Sequence, residues 1–190
     1  MSLGALVLAG LAAVVPGREL VYNGTFELAA DSGWKLYVWG DFPDTGNCRL
    51  RRLSDFYPDR DFEVMLHKML HQGMKLSQRV DPPSLDLGLS FSARLTSKTE
   101  RESLFAAGAV CLQYLDTRDS ALGETRIYSA TPGCTWQSGP ILHLIGAPDS
   151  LHWHDYRLNV SDELVNLPGV PRDSIRALRV VLLSYVLGNC

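Results

Sequence analysis

The sequence has no excess of positive charge. Its 190 residues contain 18 lysines and arginines against 21 aspartates and glutamates, a net charge of -3. A protein that binds DNA or RNA needs a basic face for the phosphates, so nucleic acid is not expected as a partner. The sequence also lacks an apolar run of about twenty residues, the length that a helix needs to cross a bilayer. No membrane span is therefore predicted.

Motifs of the common enzyme classes are absent too. The four cysteines, Cys48, Cys111, Cys134 and Cys190, include no Cys-x-x-Cys pair, which excludes a zinc knuckle and a thioredoxin-like site. Cys111 lies in an apolar run and is predicted to be a buried thiol. Cys48 and Cys134 lie in loop-like sequence and could pair in an oxidising compartment. There is no Gly-x-Ser-x-Gly elbow and no glycine-rich phosphate loop.

Two histidine pairs are weak candidates for a metal site. His67 and His71 have the spacing of a zinc-protease helix, but Lys68 stands where the general-base glutamate belongs. His152 and His154 would lie on one face of a strand, yet no third ligand is indicated. A surface or cross-strand role is the simpler interpretation of both pairs.

Acidic pairs occur at Asp59 with Asp61 and at Asp162 with Glu163. Two carboxylates are the minimum for glycoside hydrolysis. Both pairs lie in polar, loop-like sequence, where nothing indicates the raised pKa that a general acid needs. They are predicted to be solvated loop carboxylates.

The N-terminal segment differs from the rest of the chain. Residues 4–15 are Leu, Ala, Val and Gly throughout, and Pro16 and Gly17 end the run. The run has the length of a signal-peptide core but no positively charged segment before it. Residues 1–17 are interpreted as a leader remnant or extra N-terminal segment, with a native first strand as the alternative. The domain proper is taken as residues 18–190.

Strict alternation between residues 85 and 96 is the clearest structural signal. Leucines, Phe91 and Ala93 occupy every second position, and polar residues or Gly88 occupy the positions between them. Successive side chains of a strand point to opposite faces, so this pattern predicts a half-buried strand. Weaker alternating runs recur, separated by Pro, Gly and Asp turns, with one helical turn near Ser161. The sequence predicts a single all-β domain, an antiparallel β-sandwich.

The order of several short motifs resembles a known family. Residues 20–27 (LVYNGTFE) followed by Gly33-Trp34, residues 76–80 (LSQRV), residues 111–116 (CLQYLD) and residues 167–170 (LPGV) carry the resemblance. Together they are similar to the jelly-roll carbohydrate-binding modules of the xylan- and glucan-binding type, in the galactose-binding-like superfamily. The resemblance covers residues 19–188 and implies a jelly roll.

Members of that family often hold a structural calcium ion beside the first strand. Glu27 matches the family's glutamate ligand, and calcium prefers carboxylate and carbonyl oxygens. The family's closing strand usually carries an aspartate, whereas this sequence stops at Gly188, Asn189 and Cys190. The resemblance therefore implies Ca²⁺ at Glu27, in a domain that either lacks its closing strand or has its first and last strands rearranged.

A saccharide has apolar faces and polar edges, so its site needs exposed aromatic rings with hydrogen-bonding groups nearby. Trp39 and Tyr37 alternate away from Trp34, Leu36 and Val38, which predicts that they point outward. Other large aromatics fall in loop-like sequence. The candidate ligand-binding residues are Tyr37, Trp39, Tyr57 and Trp136 as stacking groups, with Arg94, Gln113 and Arg126 as polar partners.

These residues favour a noncatalytic module that binds a polysaccharide or oligosaccharide. Such a module is expected outside the cytoplasm, extracellular or periplasmic, beside other domains of a larger glycan-processing protein. The first alternative is a structural or protein-interaction sandwich on the cell surface. A glycan-active hydrolase or lyase is the third.

Overall fold

The chain folds into two packed β-sheets. The computed structural model describes residues 3–15, 18–40, 48–53, 63–69, 72–99 and 104–188. Within these ranges the strands are β1 (Leu3–Val15), β2 (Arg18–Glu19), β3 (Lys35–Gly40), β4 (Cys48–Leu53), β5 (Glu63–Met69), β6 (Gln72–Val80), β7 (Gly88–Lys98), β8 (Leu104–Leu115), β9 (Ala121–Ala130), β10 (Leu142–Gly146), β11 (His154–Asn159) and β12 (Ala177–Gly188). The prediction of an all-β sandwich is confirmed.

Sheet A has the strand order β11-β7-β1-β5-β4, with β2 paired to β1. β1 lies in the middle of the sheet and pairs with both β7 and β5. Leu3–Val15 is thus one of the central strands, which agrees with the alternative of a native first strand that the sequence left open for this segment. An apolar run of that length suits a strand with neighbours on both sides.

Sheet B has the strand order β10-β9-β8-β12-β6-β3. The two most uniformly apolar strands, β8 and β12, pair with each other at its centre. β10 runs parallel to β9, whereas the other described strand pairs are antiparallel. The sandwich is therefore not wholly antiparallel. β3 lies beyond β6 and has one described neighbour, which makes it an edge strand.

The main core fills the space between the sheets. Sheet A contributes the alternating residues of β7, and Leu89, Phe91, Ala93 and Leu95 are all buried, as their spacing predicts. Sheet B contributes side chains that include Met74 and Leu76 from β6, Val110 and Leu112 from β8, and Val180 and Leu182 from β12. The odd-numbered residues of β8 and β12 and of β6 therefore point away from this core, onto the outer face of sheet B.

Helical structure in the described ranges is short. α1 (Val160–Glu163) is a single turn, and Arg172–Ser174 forms a 3₁₀ turn. The side chain of Asn159 caps α1 by accepting hydrogen bonds from the backbone N–H groups of Ser161 and Asp162. Among the residues described, no helix has the length and apolar character to span a bilayer.

Candidate functional site

The strand register arranges the outer face of sheet B in rows. One row reads Tyr37, Lys75, Leu183, Ala109 and Tyr128, each residue opposite the next on the neighbouring strand. Four strand spacings separate Tyr37 from Tyr128, a span of about 19 Å. Because the floor between these tyrosines carries smaller side chains, an extended ligand could lie across the strands.

A run of four aromatic rings borders this row at the β3 edge. The ring centroids of Tyr37 and Trp39 are 5.7 Å apart, those of Trp39 and Tyr185 are 5.9 Å apart, and those of Tyr185 and Phe105 are 5.4 Å apart. Tyr37 is 57% exposed, and Trp39 is half-buried. The sequence prediction that Tyr37 and Trp39 point outward together is consistent with this geometry.

The position of Trp39 depends on Gly73. The two residues lie opposite each other on β3 and β6. A Cβ atom added at Gly73 would come within 2.2 Å of the indole Cζ2 of Trp39. The glycine therefore lets the indole lie flat on the sheet next to Tyr185, and a larger residue at position 73 would lift it.

A second aromatic pair lies at the other end of the row. Trp136, from the loop after β9, packs against Tyr128 with ring centroids 5.7 Å apart. The guanidinium carbon of Arg126 is 4.0 Å from the centroid of the Trp136 ring, a distance at which a cation is attracted to the ring face. Trp136 and Tyr128 also cover a small apolar cluster formed by Ala109, Cys111 and Val181.

Polar side chains form a network beside this pair. Arg126 is bound to Glu124, with 2.6 Å between Nε and Oε1. Gln113 donates a hydrogen bond to Glu124 and accepts one from Arg179. These four groups lie on β9, β8 and β12, on the same face as the aromatic rings. Of the predicted polar partners, Arg126 therefore contacts Trp136 directly, and Gln113 is linked to Arg126 through Glu124.

One predicted residue, Arg94, is placed differently, and another is not among the described residues. Arg94 lies on β7 in sheet A, where its guanidinium carbon is 6.0 Å from the ring centroid of Trp153. It belongs to the opposite side of the sandwich and cannot line the same surface as Gln113 and Arg126. Tyr57 lies outside the described residues.

Comparisons with known proteins do not name a family. No family model matches the chain, and no curated protein matches it. Among solved structures, the enzymatically active domain of tailspike protein 4 from bacteriophage CBA120 aligns with a TM-score of 0.36 and 16% sequence identity. The alignment covers 92% of this chain and 20% of that chain. This similarity is too low to indicate a shared activity, and the resemblance to carbohydrate-binding modules stays a prediction.

Calcium at Glu27 also stays a prediction. Glu27 is exposed in the segment between β2 and β3. In the part of the chain that the structure describes, no group of three or more His, Cys, Asp or Glu side chains is arranged to hold a metal ion. We therefore assign calcium no role in ligand binding.

Glu163 corrects one expectation from the sequence. It is 9% exposed, not a solvated loop carboxylate. Its Oε2 is 2.7 Å from Nδ1 of His143 and accepts a hydrogen bond from the hydroxyl of Thr125, which in turn contacts the hydroxyl of Tyr114. Burial raises the pKa of Tyr114 to about 12. The network ties α1 to β9 and β10. Asp59 and Asp61 lie outside the described residues.

The histidine pair near β11 also has a local explanation. The rings of His152 and His154 both contact the carboxylate of Asp149. His71 of the other pair lies outside the described residues.

Among the cysteines described, Cys111 and Cys134 are free thiols, which does not support a disulfide from Cys134 to Cys48. Burial raises the pKa of the Cys111 thiol well above its ordinary value, so this thiol is not a nucleophile at neutral pH.

Sequence reasoning missed three rings of the outer face, namely Phe105, Tyr128 and Tyr185. For Tyr185, the sequence does contain an alternating pattern in β12. One series of side chains is Arg179, Val181, Leu183 and Tyr185, and the other is Val180, Leu182, Ser184 and Val186. Because both series are mostly apolar, periodicity alone could not show which one faces the core. The pairing with β6 and β8 decides it.

Proposed function

We propose that the chain is a noncatalytic carbohydrate-binding module, in a protein that acts outside the cytoplasm, and that its ligand lies on the outer face of sheet B. The observation that carries the proposal is the run of rings Tyr37, Trp39, Tyr185 and Phe105 on one face, with Tyr37 more than half exposed. A row of aromatic rings on a β-sheet suits the apolar faces of successive sugar units.

Polar groups on the same face support a saccharide over a purely apolar ligand. Gln113, Arg126, Arg179 and Glu124 present amide, guanidinium and carboxylate groups of the kind that satisfy sugar hydroxyls. Ligand sites usually combine apolar contact area with a few such fixed polar groups.

The test is a screen on affinity gels that contain neutral and acidic polysaccharides, with and without calcium. We expect retardation by at least one polysaccharide, and weaker retardation for Tyr37→Ala and Trp39→Ala. Loss of a stacked ring typically costs about 1–2 kcal/mol, roughly five- to thirtyfold in affinity. Trp136→Ala tests the far end of the row.

Tyr22→Ala is the matched control, because Tyr22 is 60% exposed but lies in the segment between β2 and β3. Its retardation should equal that of the unaltered protein. If no polysaccharide slows the protein, the proposal is wrong.

The structural or protein-interaction alternative has one observation in its favour. Leu36 on the edge strand β3 is 46% exposed, and its neighbour Tyr37 is exposed as well. An apolar edge strand can pair with a strand of another protein. In that case Leu36→Lys would abolish association with the partner. Saccharide binding by Tyr37 and Trp39 would be unaffected, because Leu36 points to the opposite side of β3.

A further inference from the structure

Unpaired positive charge lies beside the aromatic run, although the chain as a whole has a net charge of -3. Lys35 on β3 and Lys75 on β6 are not in a salt bridge with any described carboxylate. Arg179 on β12 donates to the side-chain oxygen of Gln113 and to a backbone carbonyl, so it also lacks a carboxylate partner among the described residues.

The described acidic side chains of this face lie in ion pairs with arginines. Glu124 is bound to Arg126, and Asp119 and Asp81 are bound to Arg79. These three carboxylates stand against five cations on the described part of the face, Lys35, Lys75, Arg79, Arg126 and Arg179, which leaves a positive excess of two. A surface with this excess attracts anions and repels cations.

The cations are close to the most exposed ring. The ammonium nitrogen of Lys75 is 5.4 Å from the ring centroid of Tyr37. Lys35 is two residues before Tyr37 on the same strand, so it points to the same side of the sheet. A sugar ring stacked on Tyr37 would hold a substituent within reach of one or both ammonium groups.

We propose that the ligand is an acidic saccharide whose sugar units carry carboxylate groups. This inference rests on the proposed function and adds the chemical class of the ligand. The aromatic rings would contact the apolar sugar faces, and Lys35 and Lys75 would pair with carboxylates near the β3 edge. The Arg179 guanidinium lies outside the row, four residues before Leu183 on β12, and would donate its planar set of N–H groups to a carboxylate on a part of the saccharide that extends toward Gln113.

The experiment compares polygalacturonate with the neutral polysaccharides laminarin and xylan in affinity gels, in calcium-free buffer at low and high salt. We expect the strongest retardation by polygalacturonate, and weaker retardation at high salt because exposed charges are screened. The double variant Lys35→Gln, Lys75→Gln should lose about three- to thirtyfold in affinity for oligogalacturonate, measured by calorimetry. Lys98→Gln on sheet A is the matched control and should bind unchanged.

The outcomes separate this inference from the proposed function. Equal or stronger binding of a neutral polysaccharide, with no effect of the double variant, would overturn the acidic ligand and leave a carbohydrate-binding module. Competition by polyacrylate as strong as that by oligogalacturonate would also overturn it, because polyacrylate has carboxylates but no sugar rings. Binding to none of the polysaccharides would overturn both.

Discussion

At the scale of single residues, Asp149 shows how local hydrogen bonds set a charge. Backbone N–H groups of His152 and Leu151 donate to its carboxylate, and the His152 ring adds to their effect. These contacts lower the pKa of Asp149 well below its ordinary value, first through the backbone of His152. The carboxylate form is thus favoured in the folded protein, and it orders the turn before β11.

The pH dependence follows from the direction of that shift. An aspartate in the unfolded chain has a pKa of about 3.9. Because folding lowers the pKa, the stabilisation is complete above that pH and is lost as the pH falls below it. In urea denaturation, the difference in midpoint between the unaltered protein and Asp149→Ala should be larger at pH 5 than at pH 2.5. An Asp149 difference that is equal at both pH values would contradict the assignment.

At the scale of elements, α1 is held to sheet B by one carboxylate. Glu163 accepts a hydrogen bond from Thr125 on β9 and pairs with His143 on β10. Removing this buried carboxylate takes a hydrogen-bond partner from His143 and from the hydroxyl of Thr125. Glu163→Ala should lower the free energy of unfolding by about 2–3 kcal/mol, measured in urea at pH 7. Asp162→Ala, an exposed position in the same turn, should change it by less than about 0.5 kcal/mol. Equal costs would show that the network does not hold α1.

Elements also show what the sequence can and cannot predict. β7 was predictable because one face is apolar and the other polar, so its period is visible in the residues themselves. β1 was not, since an apolar run of its length reads equally as a leader core or as a central strand, and only its pairing with β5 and β7 decides. The parallel pairing of β10 with β9 depends on the path of the intervening loop, which leaves no periodic signal. The burial of Glu163 depends on His143, twenty residues away in the chain.

At the scale of the whole molecule, the candidate site exists only through topology. Tyr37 and Tyr128 are brought to one row because β6, β12 and β8 lie between their strands. Alternation in the sequence predicted that Tyr37 and Trp39 point outward, but it could not predict that Gln113 and Arg126 share their face while Arg94 does not. That distinction depends on which sheet each strand joins.

The strand order of sheet B also predicts which backbone amides are protected from hydrogen exchange. β8 and β12 have neighbours on both sides and carry residues buried on both faces, such as Ala109 and Leu182. β3 has its described hydrogen bonds on one side only. Backbone amides open in order of local stability, so hydrogen exchange followed by mass spectrometry should find peptides of β8 and β12 exchanging last and those of β3 among the first. If β3 instead exchanges as slowly as β12, its outer edge is covered in solution, either by another chain or by a part of this chain outside the described residues. Cover by another chain would favour the protein-interaction alternative, because an edge strand can pair with a strand of a partner.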